Sequence, residues 1–369
     1  MDYRRDIDGL RAVAVFPVVL YHAGVPGFPG GFVGVDVFFV ISGYLITAIL
    51  AREIAEGRFS LAGFYERRAR RILPPLAVVL AATLLVGWHL LMPEELLRLG
   101  RATFATVLFA SNVSAARSLD YFAPAAEFEP LLHTWSLAVE EQFYLIFPLL
   151  LMGLAWAGWS RRALAVVAGL SALSLAAAAA LIDARPLWVF YLIVFRVWEL
   201  GAGAMLALTR PAPPHARLLR EGLGLAGLLA ILAPVALYSA ATPFPGFAAL
   251  PPVLGATLLI WIGGEGGGSR ASRLLALRPL VGIGLVSYSL YLWHWPILAF
   301  VRVFEGWVRI SNATAAGAVA ASLAAAWLSW RFMERPFRMR PPDGPSRTTV
   351  FALSAVVFGL LGALGETIH

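Results

Sequence analysis

The apolar stretch DGLRAVAVFPVVLYHA near the start of the chain carries two side chains that a membrane segment normally avoids, Arg11 and His22. Their spacing is three helical turns plus about 20°, so a helix holds both on one face, about 16 Å apart along its axis. That is about half of a ~30 Å hydrocarbon layer. A histidine inside the membrane and an arginine at its water boundary read as the two ends of one site. A desolvated imidazole can take the proton of an attacking hydroxyl, and the arginine can orient or neutralise an anionic reactant. Without such a site, His22 is a packing residue hydrogen-bonded within a helix bundle, and Arg11 a snorkelling helix-end arginine.

Other groups have residue types suited to chemistry. In HTWSLAVEEQFY, His133, Ser136, Glu140 and Tyr144 recur at i, i+3, i+7 and i+11, one helix face. Glu141 points about 100° away, so Glu140 takes the interior phase. There it orients a histidine, as the carboxylate of a triad does, or balances a buried arginine. In FYERRARRILPP, Arg67 and Arg71 are i and i+4, and Arg68 and Arg71 are i and i+3. This spacing suits bidentate recognition of an anion, or else a solvated topology signal. Arg196 and Glu199, i and i+3 in an apolar run, are expected to pair as architecture. Asp36 follows a Gly-rich turn, where capping the next helix is the expected task. His294 lies between tryptophans in YLWHWPI, a setting that suits an interfacial aromatic belt or a ligand path. Ser42, in VISGYL, lacks the GxSxG context of a hydrolase nucleophile.

The elements that must position these residues follow from composition. Of 369 residues 60% are hydrophobic and 14% charged, against about 25% charged in an ordinary soluble domain. Apolar runs fall at 8–23, 34–50, 73–92, 134–157, 163–182, 187–208, 222–239, 247–263, 279–301, 312–333 and 349–365. The expected fold class is therefore all-α, a polytopic integral membrane protein with eleven helices in a lipid bilayer. Continuous runs, rather than alternation at period two, exclude a β-barrel. The absence of cysteine excludes disulfides, thiolate-ligated metals and a cysteine-linked covalent intermediate. All 29 basic residues are arginines, which excludes a Walker-type or Schiff-base lysine. No metal is expected. The Gly-rich segment 264–269 reads as a flexible turn and not a phosphate loop.

The net charge of +7 comes from arginines gathered at alternate ends of the runs, the end that includes Arg4, Arg5, Arg52, Arg161 and Arg210. The positive-inside rule then puts the N-terminus in the cytoplasm and, if all eleven runs span, the C-terminus outside. Membrane topology accounts for the charge, and no nucleic-acid partner is expected. The first run lacks a convincing cleavage site and is expected to stay as a membrane helix. Between runs, 52–71 reads as a cytoplasmic connector, an amphipathic surface helix running into the third apolar run, and 93–130 as the longest external segment, opening on a Pro-Glu-Glu helix start. Residues 335–348 read as a Pro-rich basic linker.

Five ordered blocks add a further constraint: DGLRAVAVFPVVLYHA, GGFVGVDVFFVISGYLIT, FYERRARRILPP, LLHTWSLAVEEQFYLIFPLLL and SYSLYLWHWPI, with RFMERPFR as a weaker sixth. Together they resemble the acyltransferase 3 family, integral-membrane enzymes that O-acylate surface carbohydrates in bacteria. The resemblance implies a ten-helix acyltransferase core over 1–345, with 346–369 as an additional C-terminal transmembrane helix. It implies acyl-CoA, here acetyl-CoA, as donor and a glycan hydroxyl outside the bacterial cytoplasmic (inner) membrane as acceptor. His22 would be the base, Arg11 its partner, Glu140 a supporting carboxylate, and Arg67, Arg68 and Arg71 the grip on the donor phosphates. Asp36, His133, Glu141, Tyr144 and His294 would lie along the substrate path. The extra helix resembles members that continue into an SGNH-type extracytoplasmic domain. A chain ending at His369 is then expected to be cut short before such a domain, or to have a separately encoded partner. The rival class is a transporter or channel with Arg, His and Glu lining its path; the lack of an inverted repeat and the arginine cluster at one entrance weigh against it.

Overall fold

Hydrocarbon offers a backbone no hydrogen-bond partners, so a spanning segment must satisfy its own N–H and C=O groups. In the computed structural model every one of the eleven apolar runs is accordingly helical. Residues 3–118, 120–158, 162–264, 268–306, 309–338 and 346–367 are described. Arg161, residues 265–267 of the Gly-rich turn and residues 339–345 of the Pro-rich linker lie outside them. The helices begin with α1 (Arg5–His22), α2 (Gly34–Ala55), α3 (Leu61–Leu90), α4 (Pro93–Val107), α5 (Ser111–Ser118) and α6 (Thr134–Trp156). They continue with α7 (Ala163–Leu181), α8 (Pro186–Tyr191), α9 (Ile193–Thr209), α10 (Arg217–Leu237) and α11 (Leu250–Ile262). The last are α12 (Arg270–Leu275), α13 (Arg278–Glu305), α14 (Asn312–Ser329), α15 (Arg335–Arg338) and α16 (Arg347–Thr367). Among the described residues there is no strand, and nine helical stretches are long and apolar enough to cross a membrane. The other two runs are α1, which carries Arg5, Asp6, Asp8 and Arg11, and the shorter stretch Gly246–Ile262.

Three local features differ from the sequence expectation or refine it. Residues 61–71 run into the third apolar run as expected, as one helix with it: Ser60 accepts from the Gly63 amide at 3.2 Å and starts a helix that continues to Leu90. The proline pair Pro74–Pro75 sits inside it, and the Tyr288 hydroxyl donates to the nearby Ile72 carbonyl at 3.0 Å. The run 187–208 is broken rather than continuous, with Leu192 in an extended conformation between α8 and α9. The long segment after α3 does open on a helix at Pro93, where Glu95 accepts from the Met92 amide at 3.0 Å.

The chain divides into two compact units. The first comprises residues 1–58 and 139–287, the second residues 59–138 and 288–369. In the first, α2 and α9 approach at glycine: a Cβ on Gly43 would collide with the Leu200 carbonyl, and one on Gly203 with the Val40 carbonyl. Small residues of this kind let membrane helices pack backbone to backbone. In the second, Gly100 of α4 and Gly365 of α16 meet in the same way. The C-terminal helix set apart by the 345/346 division therefore packs within the second unit, against α3 and α4.

Gly43→Leu is expected to lower stability by about 1–3 kcal/mol through overpacking of the α2–α9 contact. Gly169→Leu, at a position where a Cβ meets nothing within 4 Å, should be near neutral. Thermal unfolding of the detergent-purified variants reads the difference; equal melting temperatures would contradict the close-packing assignment.

Candidate active site

His22 occupies the last turn of α1. The helix stops there because Gly24 adopts φ +71°, and the closing bonds run from the Gly24 amide to the Tyr21 carbonyl and from the Val25 amide to the Leu20 carbonyl, both at 2.9 Å. Gly24 is exposed, yet His22 is only 2% exposed, its ring 5.1 Å from that of Tyr21. The imidazole is thus enclosed by protein at the very end of the helix. Arg11, also buried, donates to Asp8 at 3.3 Å, an i, i+3 pair on the same helix. Asp8 had escaped notice as a partner, although its spacing to Arg11 was readable.

Glu140 is brought to two hydroxyls of the first unit. Ser42 donates to its Oε1 at 2.7 Å, and Tyr144, one turn on, donates to Oε2 at 3.4 Å. Ser42, set aside as a nucleophile, here orients a carboxylate. Glu141, on the next helix phase, is half-buried like Glu140.

Asp36 does not cap α2, whose first turn has no side-chain cap bond. It is fully buried and accepts from Arg196 Nη2 at 2.8 Å. Arg196 also donates to Glu199 from Nε at 2.6 Å and Nη2 at 3.0 Å. Its Nη1 donates to the Phe190 carbonyl at 3.2 Å, one of the backbone acceptors beside the α8–α9 break. The rings of Phe39, Phe190 and Phe244 stand 5.4, 5.6 and 5.7 Å from the guanidinium centre. The expected Arg196–Glu199 pair is present, and Asp36 belongs to it. Desolvation decides this arrangement over the cap: a fully buried guanidinium needs counter-ions more than a helix end needs one acceptor.

The second unit holds the remaining residues. On α3, Arg67 is exposed, Arg68 and Arg71 are half-buried, and the Arg68 guanidinium lies 5.9 Å from the Phe64 ring. Arg70, absent from the expected cluster, is buried and paired with Glu66 at 3.0 Å, and Arg347 reaches the same carboxylate at 2.9 Å. His133 and His294 are brought together with ring centroids 5.8 Å apart, both fully enclosed. His294 Nδ1 faces the carbonyls of Tyr291 at 2.7 Å and Leu290 at 3.2 Å, so Nδ1 carries the proton. His294 is therefore buried in the second unit and not an interfacial belt residue. The Ser136 and Tyr291 hydroxyls lie 2.6 Å apart beside this pair, and Trp295 stacks on His133. Nearby, burial pushes the Glu127 carboxyl above the usual carboxylate range, with Arg302 at 2.9 Å pulling it back. Separations of more than a hundred residues hid the Arg302–Glu127 and Ser136–Tyr291 contacts from any periodicity. Among the described residues no group of three His, Asp or Glu could hold a metal.

The profile of the acyltransferase 3 family, described as an acyltransferase domain, matches residues 4–334. The chain belongs to this family. It is 35% identical over 352 residues to the peptidoglycan O-acetyltransferase OatA of Listeria monocytogenes, a match covering 91% of this chain and 56% of that protein. It is 31% identical over 378 residues to the O-acetyltransferase OatA of Staphylococcus aureus strain MRSA252, covering 97% of this chain and 62% of that protein. The chain thus spans less than two thirds of the length of these relatives. No solved structure matches it.

Arg196→Met would leave two carboxylates facing each other in an aromatic cage. It should cost about 3–5 kcal/mol, seen as lost folded yield and a lower unfolding temperature. Replacing the whole triad by Asn, Met and Gln at positions 36, 196 and 199 should recover much of that loss; a triple variant no better than Arg196→Met would count against a purely ionic role.

Proposed function

We propose that this chain is the membrane part of an O-acyltransferase that moves an acetyl group from cytoplasmic acetyl-CoA to a glycan hydroxyl on the far side of the bacterial cytoplasmic membrane. The observation that carries the reading is the family match, which runs from residue 4 to residue 334 and so includes the enclosed His22. Relatives named as O-acetyltransferases, one of them of peptidoglycan, support acetyl as the group and a cell-wall-type glycan as the acceptor. The arginine distribution supports an N-terminus in the cytoplasm, and an SGNH-type extracytoplasmic domain or protein would receive or finish the modification.

In this reading the glycan hydroxyl oxygen attacks the thioester carbonyl while His22 takes its proton. Collapse of the tetrahedral intermediate breaks the C–S bond, and the departing CoA thiolate takes the proton back from His22. Arg11 balances negative charge on the donor. Glu140, fixed by Ser42 and Tyr144, is the supporting carboxylate. Arg67, Arg68 and Arg71 grip donor phosphates, as clustered guanidinium groups do. Glu141, Tyr144, His133 and His294 line the substrate path, while Asp36 serves the Arg196 cage rather than the acceptor.

Purified protein in nanodiscs, given acetyl-labelled acetyl-CoA and peptidoglycan oligosaccharides, should release CoA and label the glycan. His22→Ala should lower the rate by about 100-fold or more with CoA binding retained. Label that neither leaves CoA nor reaches any glycan, while CoA still binds, would overturn the enzyme reading; undiminished transfer by His22→Ala would remove His22 from it.

A further inference from the structure

At the end of the first unit where α1 begins and α2, α9 and α11 finish, the chain forms an open cavity of about 540 Å³. Its lining includes Arg4, Arg52 and Arg210, with Tyr44 and Trp261. None of these was singled out as a site residue by motif, because they come from four separate stretches of sequence. We propose that this cavity is a binding site for a phosphate-bearing ligand, held by Arg52 and Arg210, with Arg4 fixed at its wall, and flanked by the two aromatic rings.

Each arginine is held differently, and the arrangements of Arg52 and Arg210 leave charge for a ligand. Arg4 is fixed in place: its Nε donates to Asp6 at 3.1 Å, Nη2 to the Ile260 carbonyl at 2.9 Å, and Nη1 to the Tyr44 hydroxyl at 3.5 Å. Asp6 offsets its charge. Arg52 is half-buried, its Nε is shielded from solvent, and that atom has no hydrogen-bond partner among the described residues. A donor enclosed in this way carries a desolvation cost that an anionic acceptor would offset. Arg210 stands exposed at the rim, donating to the Ala207 carbonyl at 3.3 Å. Its backbone is left-handed, φ 43° and ψ 51°, at the end of α9, where glycine is the usual residue. An arginine there carries backbone strain that a glycine would not. A mere topology signal would not require an arginine at that strained position. Trp261 is oriented by its Nε1 bond to the Pro211 carbonyl at 3.0 Å, which fixes an aromatic face at the same rim.

Fixed guanidinium groups beside aromatic rings match the phosphates and base of a nucleotide, and also the phosphate of an anionic lipid headgroup. On the acetyl-CoA reading above, the nucleotide portion of the donor is the ligand, and this cavity is the alternative to Arg67, Arg68 and Arg71 as the grip on its phosphates. That identity rests on the reading, whereas the phosphate chemistry of the cavity does not. Residues 5–22 rise about 26 Å along α1, so a donor anchored here must run most of that helix to bring its acyl end to His22.

Full-length protein in phosphatidylcholine nanodiscs, titrated with CoA and with adenosine 3′,5′-bisphosphate, tests both points, and a parallel set of nanodiscs containing phosphatidylglycerol tests the lipid source. Arg52→Ala and Arg210→Gly should weaken CoA binding by about tenfold each. Arg58→Ala, outside the cavity, should bind as the parent does. Arg210→Gly relieves the strained backbone, so a loss of binding with unchanged or raised melting temperature separates recognition from folding. Equal CoA binding by all variants, with no difference between them in phosphatidylglycerol, would overturn the cavity site and leave the donor reading standing. No CoA binding by the parent, with phosphatidylglycerol raising its melting temperature and both variants losing that rise, would keep the phosphate site, assign it to lipid and remove the donor reading. No response to either ligand would overturn the site.

Discussion

An arginine that reaches no water must bring its counter-ions with it, and Arg196 imposes that condition on the first unit. Its guanidinium is shared by Asp36 from α2 and Glu199 from its own helix, and its remaining donor is directed at the Phe190 carbonyl beside the α8–α9 break. One buried cation thus ties together two helices and steadies a helix interruption that hydrocarbon alone would not tolerate. The close α2–α9 contact at Gly43 and Gly203 is what lets the two carboxylates converge. Ion pairing and small-residue packing are therefore one device.

That device keeps α2 in register, and α2 presents Ser42 to Glu140. Without it, the Glu140 carboxylate would lose the partner that fixes its direction. The enclosure of His22 has a different origin: the glycine-dependent stop of α1 ends the helix while the imidazole still lies under protein. Placing a proton acceptor out of water at a helix end suits the removal of a proton from a substrate hydroxyl.

Much of this was legible in the sequence, for reasons of period and cost. The eleven apolar runs could form only helices, and Arg196 and Glu199 at i, i+3 in such a run could hardly do other than pair. The face shared by Glu140 and Tyr144 followed from helical phase, and the two do meet at 3.4 Å. Asp36 was misread because a cap is a local solution, whereas its partner lies 160 residues away. The break at Leu192 was invisible to hydropathy, since an interrupted helix and a continuous one have the same apolar content. The cavity of Arg4, Arg52 and Arg210 joins residues from four stretches with no common spacing, and only the folded chain collects them.

The proposed function requires a donor used on one face of the membrane and an acceptor modified on the other. Sealed vesicles of known orientation test it directly. Labelled acetyl-CoA is supplied only to the face bearing the N-terminus, with glycan enclosed on the opposite face. The account predicts acetylated glycan inside vesicles that remain sealed to CoA. Acetylation that occurs only when donor and glycan share a face would contradict it.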